Sequence, residues 1–158
     1  MSEQPDIHPM CESQAEAASA LVRAAIRAGF AGHYSAEVVE ATAAANTAEF
    51  LRGLAPQQTN YVLVEDGAVV GMIGLKKNEV GHLFVHPDHH GRGHGRRLVA
   101  FAAEAFRAAG HADMVVFSSL NAEGFYAKCG FVREGEGSFD VGPDLLLAYV
   151  RMRAPTRR

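Results

Sequence analysis

Leu83-Phe84-Val85-His86-Pro87-Asp88-His89-His90-Gly91-Arg92-Gly93-His94-Gly95-Arg96-Arg97-Leu98 passes from an apolar run, through a proline and three alternating glycines, into a helical pattern. The run from Val80 to His86 reads as a strand, and Pro87 ends it because the ring has no N–H for a ladder. Leu98, Val99, Ala102, Ala105, Phe106 and Ala109 then mark one face of a helix closed by Gly110. Strand, glycine turn and helix in this order build an anion site: backbone without Cβ approaches the ligand, and the free amides of the helix start face it. Arg92, Arg96 and Arg97 add charge. The spacing is not a dinucleotide fingerprint, which needs Gly-x-Gly-x-x-Gly, nor a P-loop, which needs Gly-Lys-Ser/Thr.

Working outward, Tyr61 to Glu65 and Ala68 to Leu75 are β-rich runs joined by Asp66-Gly67, a two-residue hairpin signal, and Lys76-Lys77-Asn78 makes the next turn. Toward the N-terminus, Ser13 to Glu16 has capping-box spacing before Ala18, Leu21, Val22 and Ala25, with Gly29 as a left-handed stop. Ser35 caps a second helical stretch and Thr47 restarts a shorter one. A short strand is expected near Ile7 to Met10. After the long helix, Asp113 to Phe117 reads as a buried central strand, Asn121 caps a short helix ending at Gly130, and Phe131 to Glu134 and Leu145 to Arg151 are the last strands. Gly135 to Gly142 is expected to be a loop. The fold class is one mixed α/β (α+β) domain over residues 1–158, with 1–6 and 154–158 as frayed tails.

The chain has 158 residues, of which 48% are hydrophobic, enough for one core. Cys11 and Cys129 have neither disulfide-framework nor zinc-ribbon spacing, which fits a reducing, cytoplasmic location. A net charge of −3 gives no general reason to bind nucleic acid. No apolar run is long enough for a membrane span, and no secretory signal pattern opens the chain. The basic end, Arg151 to Arg158, is expected to be solvated.

Two separated motifs resemble the GNAT superfamily of N-acetyltransferases. His90-Gly91-Arg92-Gly93-His94-Gly95 is similar to its pyrophosphate-binding signature Gln/Arg-x-x-Gly-x-Gly/Ala, with His90 as a departure. Asn121-Ala-Glu-Gly-Phe-Tyr-Ala-Lys-Cys-Gly-Phe131 is similar to its Asn-x-x-x-x-Phe-Tyr-x-x-x-Gly-Phe element, with one residue fewer between Asn121 and Phe125. The resemblance covers Tyr61 to Phe131 well and the first sixty residues by element order only. It implies a mostly antiparallel sheet with splayed central strands flanked by helices, and acetyl-CoA as cosubstrate. In that frame the backbone of Leu83, Phe84 and Val85 pairs with the pantetheine arm, the segment from His90 to Arg96 holds the pyrophosphate, and Asn121 hydrogen-bonds the arm.

The implied reaction is direct attack of a primary amine on the thioester. A lysine-like amine of pKa about 10.4 costs roughly 4.6 kcal/mol to deprotonate at pH 7, so a base or a desolvating pocket is required. Tyr126 matches the family's proton donor to the leaving thiolate. For the base, Glu79 and His82 are candidates, on opposite faces if the strand alternates regularly, and a water chain is a third option. His86, His89, His90, His94 and Asp88 could in principle bind a metal, yet the loop amides already have a phosphate role, so no metal is expected. The acceptor, a small-molecule or peptide amine, is expected against the first two helices near Phe30 to Ser35, with His33, Tyr34 and Glu37 as candidates. Monomer and homodimer are both open. Two alternatives remain: a non-catalytic acyl-CoA-binding sensor or interaction module on the same fold, and a nucleotide-binding regulatory domain.

Overall fold

The computed structural model describes residues 5–157. Among the described residues, seven strands form one sheet in the order β1-β2-β3-β4-β5-β7-β6. They are β1 (Asp6–Pro9), β2 (Thr59–Glu65), β3 (Ala68–Lys76), β4 (Glu79–Val85), β5 (Asp113–Ser119), β6 (Val132–Gly142) and β7 (Leu145–Pro155). Five α-helices of the described residues flank it: α1 (Ala15–Phe30), α2 (Ala36–Ala45), α3 (Ala48–Arg52), α4 (His94–Ala108) and α5 (Glu123–Lys128). All pairings are antiparallel except β4 with β5, which are parallel and therefore need a crossover; α4 supplies it. Among the described residues, no helix is long and apolar enough to cross a membrane.

Each face of the sheet carries its own core. Val62, Met72 and Phe84 pack under α1 with Leu21, Val22 and Ile26. Leu63, Ile73, Val80 and Val116 pack under α4 with Leu98, Val99 and Phe106. Full burial of a leucine such as Leu98, with no exposed surface, contributes about 1.5–3 kcal/mol.

Several local expectations hold. Asp66 and Gly67 both take positive φ in the tight β2–β3 hairpin, the Ser35 side chain accepts from Val38 N, and the Thr47 side chain accepts from Phe50 N. Others are corrected. A 3₁₀ turn, Glu12–Gln14, precedes α1, and the side-chain bond there runs from Cys11 N to Gln14 Oε1 rather than through Ser13 and Glu16. Gly29 lies inside α1; the left-handed glycine is Gly32, at φ 83°. Asn121 sits in a 3₁₀ turn, and α5 begins without a side-chain cap.

The largest correction concerns Gly135 to Gly142, which is strand rather than loop: β6 pairs with β7 along its length. Gly137 lies opposite Tyr149, whose ring covers it so closely that a Cβ would collide with the ring and its hydroxyl. The glycine there accommodates a cross-strand aromatic. β1 includes Asp6, and β7 reaches Pro155 with Thr156 N donating to Ala112 O, so the sheet extends into both stretches expected as tails. Arg151 and Arg153 belong to β7 and pair with Glu134, and Arg153 also reaches Asp113 at 2.9 Å.

Candidate active site

β4 and β5 are paired only at Glu79↔Val115 and Val80↔Val116. Beyond that they diverge, because β4 continues along β3 to Val85 while β5 continues along β7 to Ser119. The gap leaves the β5-facing edge of Leu83 to Val85 without a neighbouring strand. A cleft of about 430 Å³ opens there.

The glycine loop forms one wall. His86 Nδ1 accepts from Asp88 N at 3.1 Å, starting a 3₁₀ turn at Pro87–His89. His90 Nε2 donates to the Val85 carbonyl at 2.9 Å, so the residue that departs from the family pattern ties the loop back to the end of β4. Gly93 is the N-cap of α4 at φ 81°, a left-handed conformation, and offers no side chain to cap the first amides. Those amides remain donors at the positive end of a 15-residue helix. Gly95 lies within the first turn of α4, not in the loop; a Cβ there would come within 3.0 Å of the Phe125 ring.

Leu83, Val85, His90, Gly91, Gly93, His94, Gly95, Arg96, Asn121 and Tyr126 all line the cleft. Phe84 does not, since alternation turns its side chain into the core beneath α1. Nor does Arg92, whose Nη1 lies 2.9 Å from Glu65 Oε1. Arg97 donates to the Pro5 carbonyl at 2.7 Å. Of the three arginines expected around the anion, Arg96 is the one on the cleft. It is shared with a second groove of about 700 Å³ that runs along α4 past Arg107 and Lys128.

Tyr126 is 5% exposed, and its ring packs edge-on against Phe125 and Phe131. Burial, with a smaller contribution from Cys129, holds its phenol well above the ordinary range, so the hydroxyl stays protonated. Asn121 faces α1, where a Cβ on Gly29 would come within 2.9 Å of its Nδ2. Tyr34 is engaged in structure: its hydroxyl donates to Ala148 O at 2.7 Å and accepts from Leu120 N at 2.8 Å.

Glu79 and His82 do not line the cleft, and the regular alternation expected of β4 is broken between them. A bulge displaces the register between Met72/Phe84 and Gly74/Gly81, and His82 takes φ 48°. His82 is consequently turned toward the α1–α3 side, where its Nε2 meets Asn46 Oδ1 at 3.0 Å and its Nδ1 meets Gln58 Nε2 at 3.3 Å. Because an amide oxygen only accepts and an amide nitrogen only donates, the proton resides on Nε2 and Gln58 covers the Nδ1 lone pair. Burial lowers this imidazole to about 4. The carboxyl of Glu79 is raised by burial, which outweighs the nearby Lys76. Nothing in the sequence pointed to Asn46 and Gln58; both are polar and buried.

The histidines of the loop divide. His90 is exposed, whereas His94 is 3% exposed and His89 is half-buried, and both lie against Glu65 from the end of β2.

Comparison with known proteins agrees with this architecture. A search of curated proteins finds no match. Among solved structures, a GCN5-related N-acetyltransferase from Rhodopseudomonas palustris, also labelled aminotransferase class II, superposes with a TM-score of 0.90 at 28% identity, covering 98% of each chain. PaiA N-acetyltransferase from Thermoplasma acidophilum, in complex with coenzyme A, gives 0.76 at 20% identity over 97% of this chain and 99% of that one. Apo YjaB from Escherichia coli gives 0.75 at 24% over 98% and 99%. The family model for the acetyltransferase (GNAT) domain matches residues 15–146, and with the splayed β4–β5 pair and the uncapped α4 behind a glycine loop, the chain belongs to the GNAT acetyltransferase family.

Proposed function

We propose that this protein transfers the acetyl group of acetyl-CoA to a primary amine of a small molecule or peptide, by direct attack of the amine nitrogen on the thioester carbon. The observation that carries the reading is the cleft between the open edge of β4, the glycine loop and α5, with Tyr126 on its wall. Its fit to the cosubstrate rests on chemistry present in the chain: free first-turn amides and Arg96 suit a pyrophosphate, and an unpaired strand edge suits an amide-bearing arm. The volume is within the range of small-ligand clefts, about 300–1,000 Å³. Acetyl-CoA supplies the activated acyl group.

In this reading the backbone of Leu83 and Val85 orients the arm, while Phe84 contributes main chain only. The segment His90 to Arg96 holds the phosphates; Arg92 reaches them only by leaving Glu65. Asn121 stands at the other wall. Tyr126 presents a hydroxyl that burial keeps protonated and that donates to the departing sulfur as its charge grows.

The base is assigned to Glu79 acting through water. Glu79 lies four residues from Leu83, about 13 Å along the strand, so it does not act by contact. Its raised carboxyl makes it a better acceptor of an ammonium proton than His82, for which burial and the Gln58 amide both oppose protonation. His82 is a positioning residue that holds the β4 bulge.

The test is thiol release from acetyl-CoA across aminoglycosides, polyamines, amino acids and peptides, run beside thermal shift with CoA. Turnover with one amine class is the expected result. A CoA-induced shift without turnover on any class favours the sensor-module reading, which the absence of Glu79 and His82 from the cleft lining supports. No shift with CoA, but a shift with ATP or NAD, overturns both.

A further inference from the structure

We infer that Glu65, His89 and His94 form a binding site for a zinc-type divalent cation at the base of the glycine loop. The sequence separates these residues, and the fold joins them. Glu65 is the last residue of β2, and the hairpin at Asp66-Gly67 holds it against the loop; His89 ends the 3₁₀ turn, and His94 opens α4. One ligand atom from each lies within 4.8 Å of the others.

The separations suit a shared ion. Metal bonds of about 2.0–2.1 Å in a tetrahedral arrangement place neighbouring donor atoms about 3.3–3.4 Å apart. Glu65 Oε2 to His94 Nε2 is 3.3 Å, and Glu65 Oε1 to His89 Nδ1 is 3.7 Å. The two distances reach different oxygens of the one carboxylate, and one donor atom from each residue lies within 4.8 Å of the others, so a cation bridging Glu65 and both imidazoles draws the side chains together.

A second observation is independent of the spacing. His94 is almost wholly buried, yet neither ring nitrogen has a hydrogen-bond partner among the described residues. Its Nε2 is close to Glu65 Oε2 without the geometry of a hydrogen bond. Buried polar atoms are rarely left so, because each unsatisfied one is costly. An ion placed between the imidazole and the carboxylate satisfies Nε2. Two imidazoles and one carboxylate are donors for zinc and its borderline neighbours, not for calcium or magnesium, which take oxygen ligands.

Arg92 is the competitor. Its Nη1 is 2.9 Å from Glu65 Oε1 and 3.4 Å from His89 Nδ1, so it occupies the same donor set. Cation binding displaces it from Glu65, toward the loop whose middle it forms. Zinc and CoA should therefore each tighten the other's binding, since such coupling is reciprocal. That coupling rests on the reading of the loop as the CoA site; zinc binding itself does not.

The experiment titrates chelator-treated, full-length protein with zinc by calorimetry in the absence of CoA, with Co²⁺ as a spectroscopic probe. One equivalent bound, with the visible bands of four-coordinate cobalt, is expected. Glu65→Gln and His89→Ala, both at half-buried positions, should each weaken binding by about tenfold or more, and Arg92→Ala should strengthen it by removing the competitor. Circular dichroism establishes that each variant is folded. Absence of stoichiometric binding to the folded wild type, or equal affinity in Glu65→Gln and His89→Ala, overturns the site. CoA affinity that ignores saturating zinc overturns the coupling, whether or not acetyl transfer is found.

Discussion

His82 makes acid stability a direct probe of the β4 bulge. Its imidazole is lowered by burial from 6.5 to about 4, so between those values the unfolded chain binds a proton that the folded chain refuses. Stability therefore rises with pH across this window and is lost as pH falls from about 6.5 to about 4. Evaluating both states at pH 7.5 and pH 4.5 gives a loss of about 2–3 kcal/mol from this residue, a large part of a stability of about 5–15 kcal/mol. Glu79 has the opposite sign: its carboxyl is raised on folding, so its contribution improves as pH falls. Separating the two requires a variant. His82→Asn retains a residue tolerant of φ 48° and removes the titration. Urea unfolding of both proteins at the two pH values gives the difference of differences, in which Glu79 and every other group cancel. The wild type should lose about 2–3 kcal/mol more than the variant. Equal losses, or an NMR midpoint for His82 near 6.5, would refute the buried, neutral assignment and return His82 to candidacy as a base.

Gly93→Val places a branched side chain at φ 81° on the α4 N-cap, and should abolish the thermal shift with CoA while the far-ultraviolet spectrum is retained. Gly95→Ala puts a methyl 3.0 Å from the Phe125 ring, so chemical denaturation should show a cost of about 1–3 kcal/mol and CoA should bind less tightly. Tyr126→Phe should lower kcat by about 10² to 10⁴ with KM for acetyl-CoA nearly unchanged. Because burial holds that phenol above the usual range, the wild-type rate should not fall through ionisation of Tyr126 near pH 10; an alkaline limb there, absent from the variant, would contradict the assignment.

What could be read from the sequence was local. Asp66-Gly67 specifies its turn because both residues accept positive φ, and Ser35 and Thr47 cap helices because each hydroxyl reaches an amide three residues on. The glycine loop was legible for the same reason: Gly91 and Gly93 adopt the left-handed backbone that alternating glycines permit. Regular patterns misled where a contact from elsewhere overrode them. Gly135 and Gly137 resemble loop residues, but the Tyr149 side chain is what requires Gly137. β4 resembles an alternating strand, yet its bulge sends His82 into a buried polar group with Asn46 and Gln58 from distant segments.

The same physical reason explains the loop's charges. In sequence, Arg92, Arg96 and Arg97 look equivalent, three cations around an anion site. In space they are sorted by partners that lie 27 and 92 positions away: Glu65 takes Arg92, the Pro5 carbonyl takes Arg97, and Arg96 alone faces the cleft. Glu65 also determines what the histidines can do. Without it, His89 and His94 flank the glycine loop with no carboxylate beside them; with it, a buried imidazole with unsatisfied nitrogens stands beside a carboxylate that an arginine already claims. A carboxylate shared between a guanidinium and two imidazoles can hold Arg92 back from the loop or, with a cation, release it. The end of β2 thus belongs to the chemistry of the glycine loop, even though it precedes that loop by a hairpin and two strands.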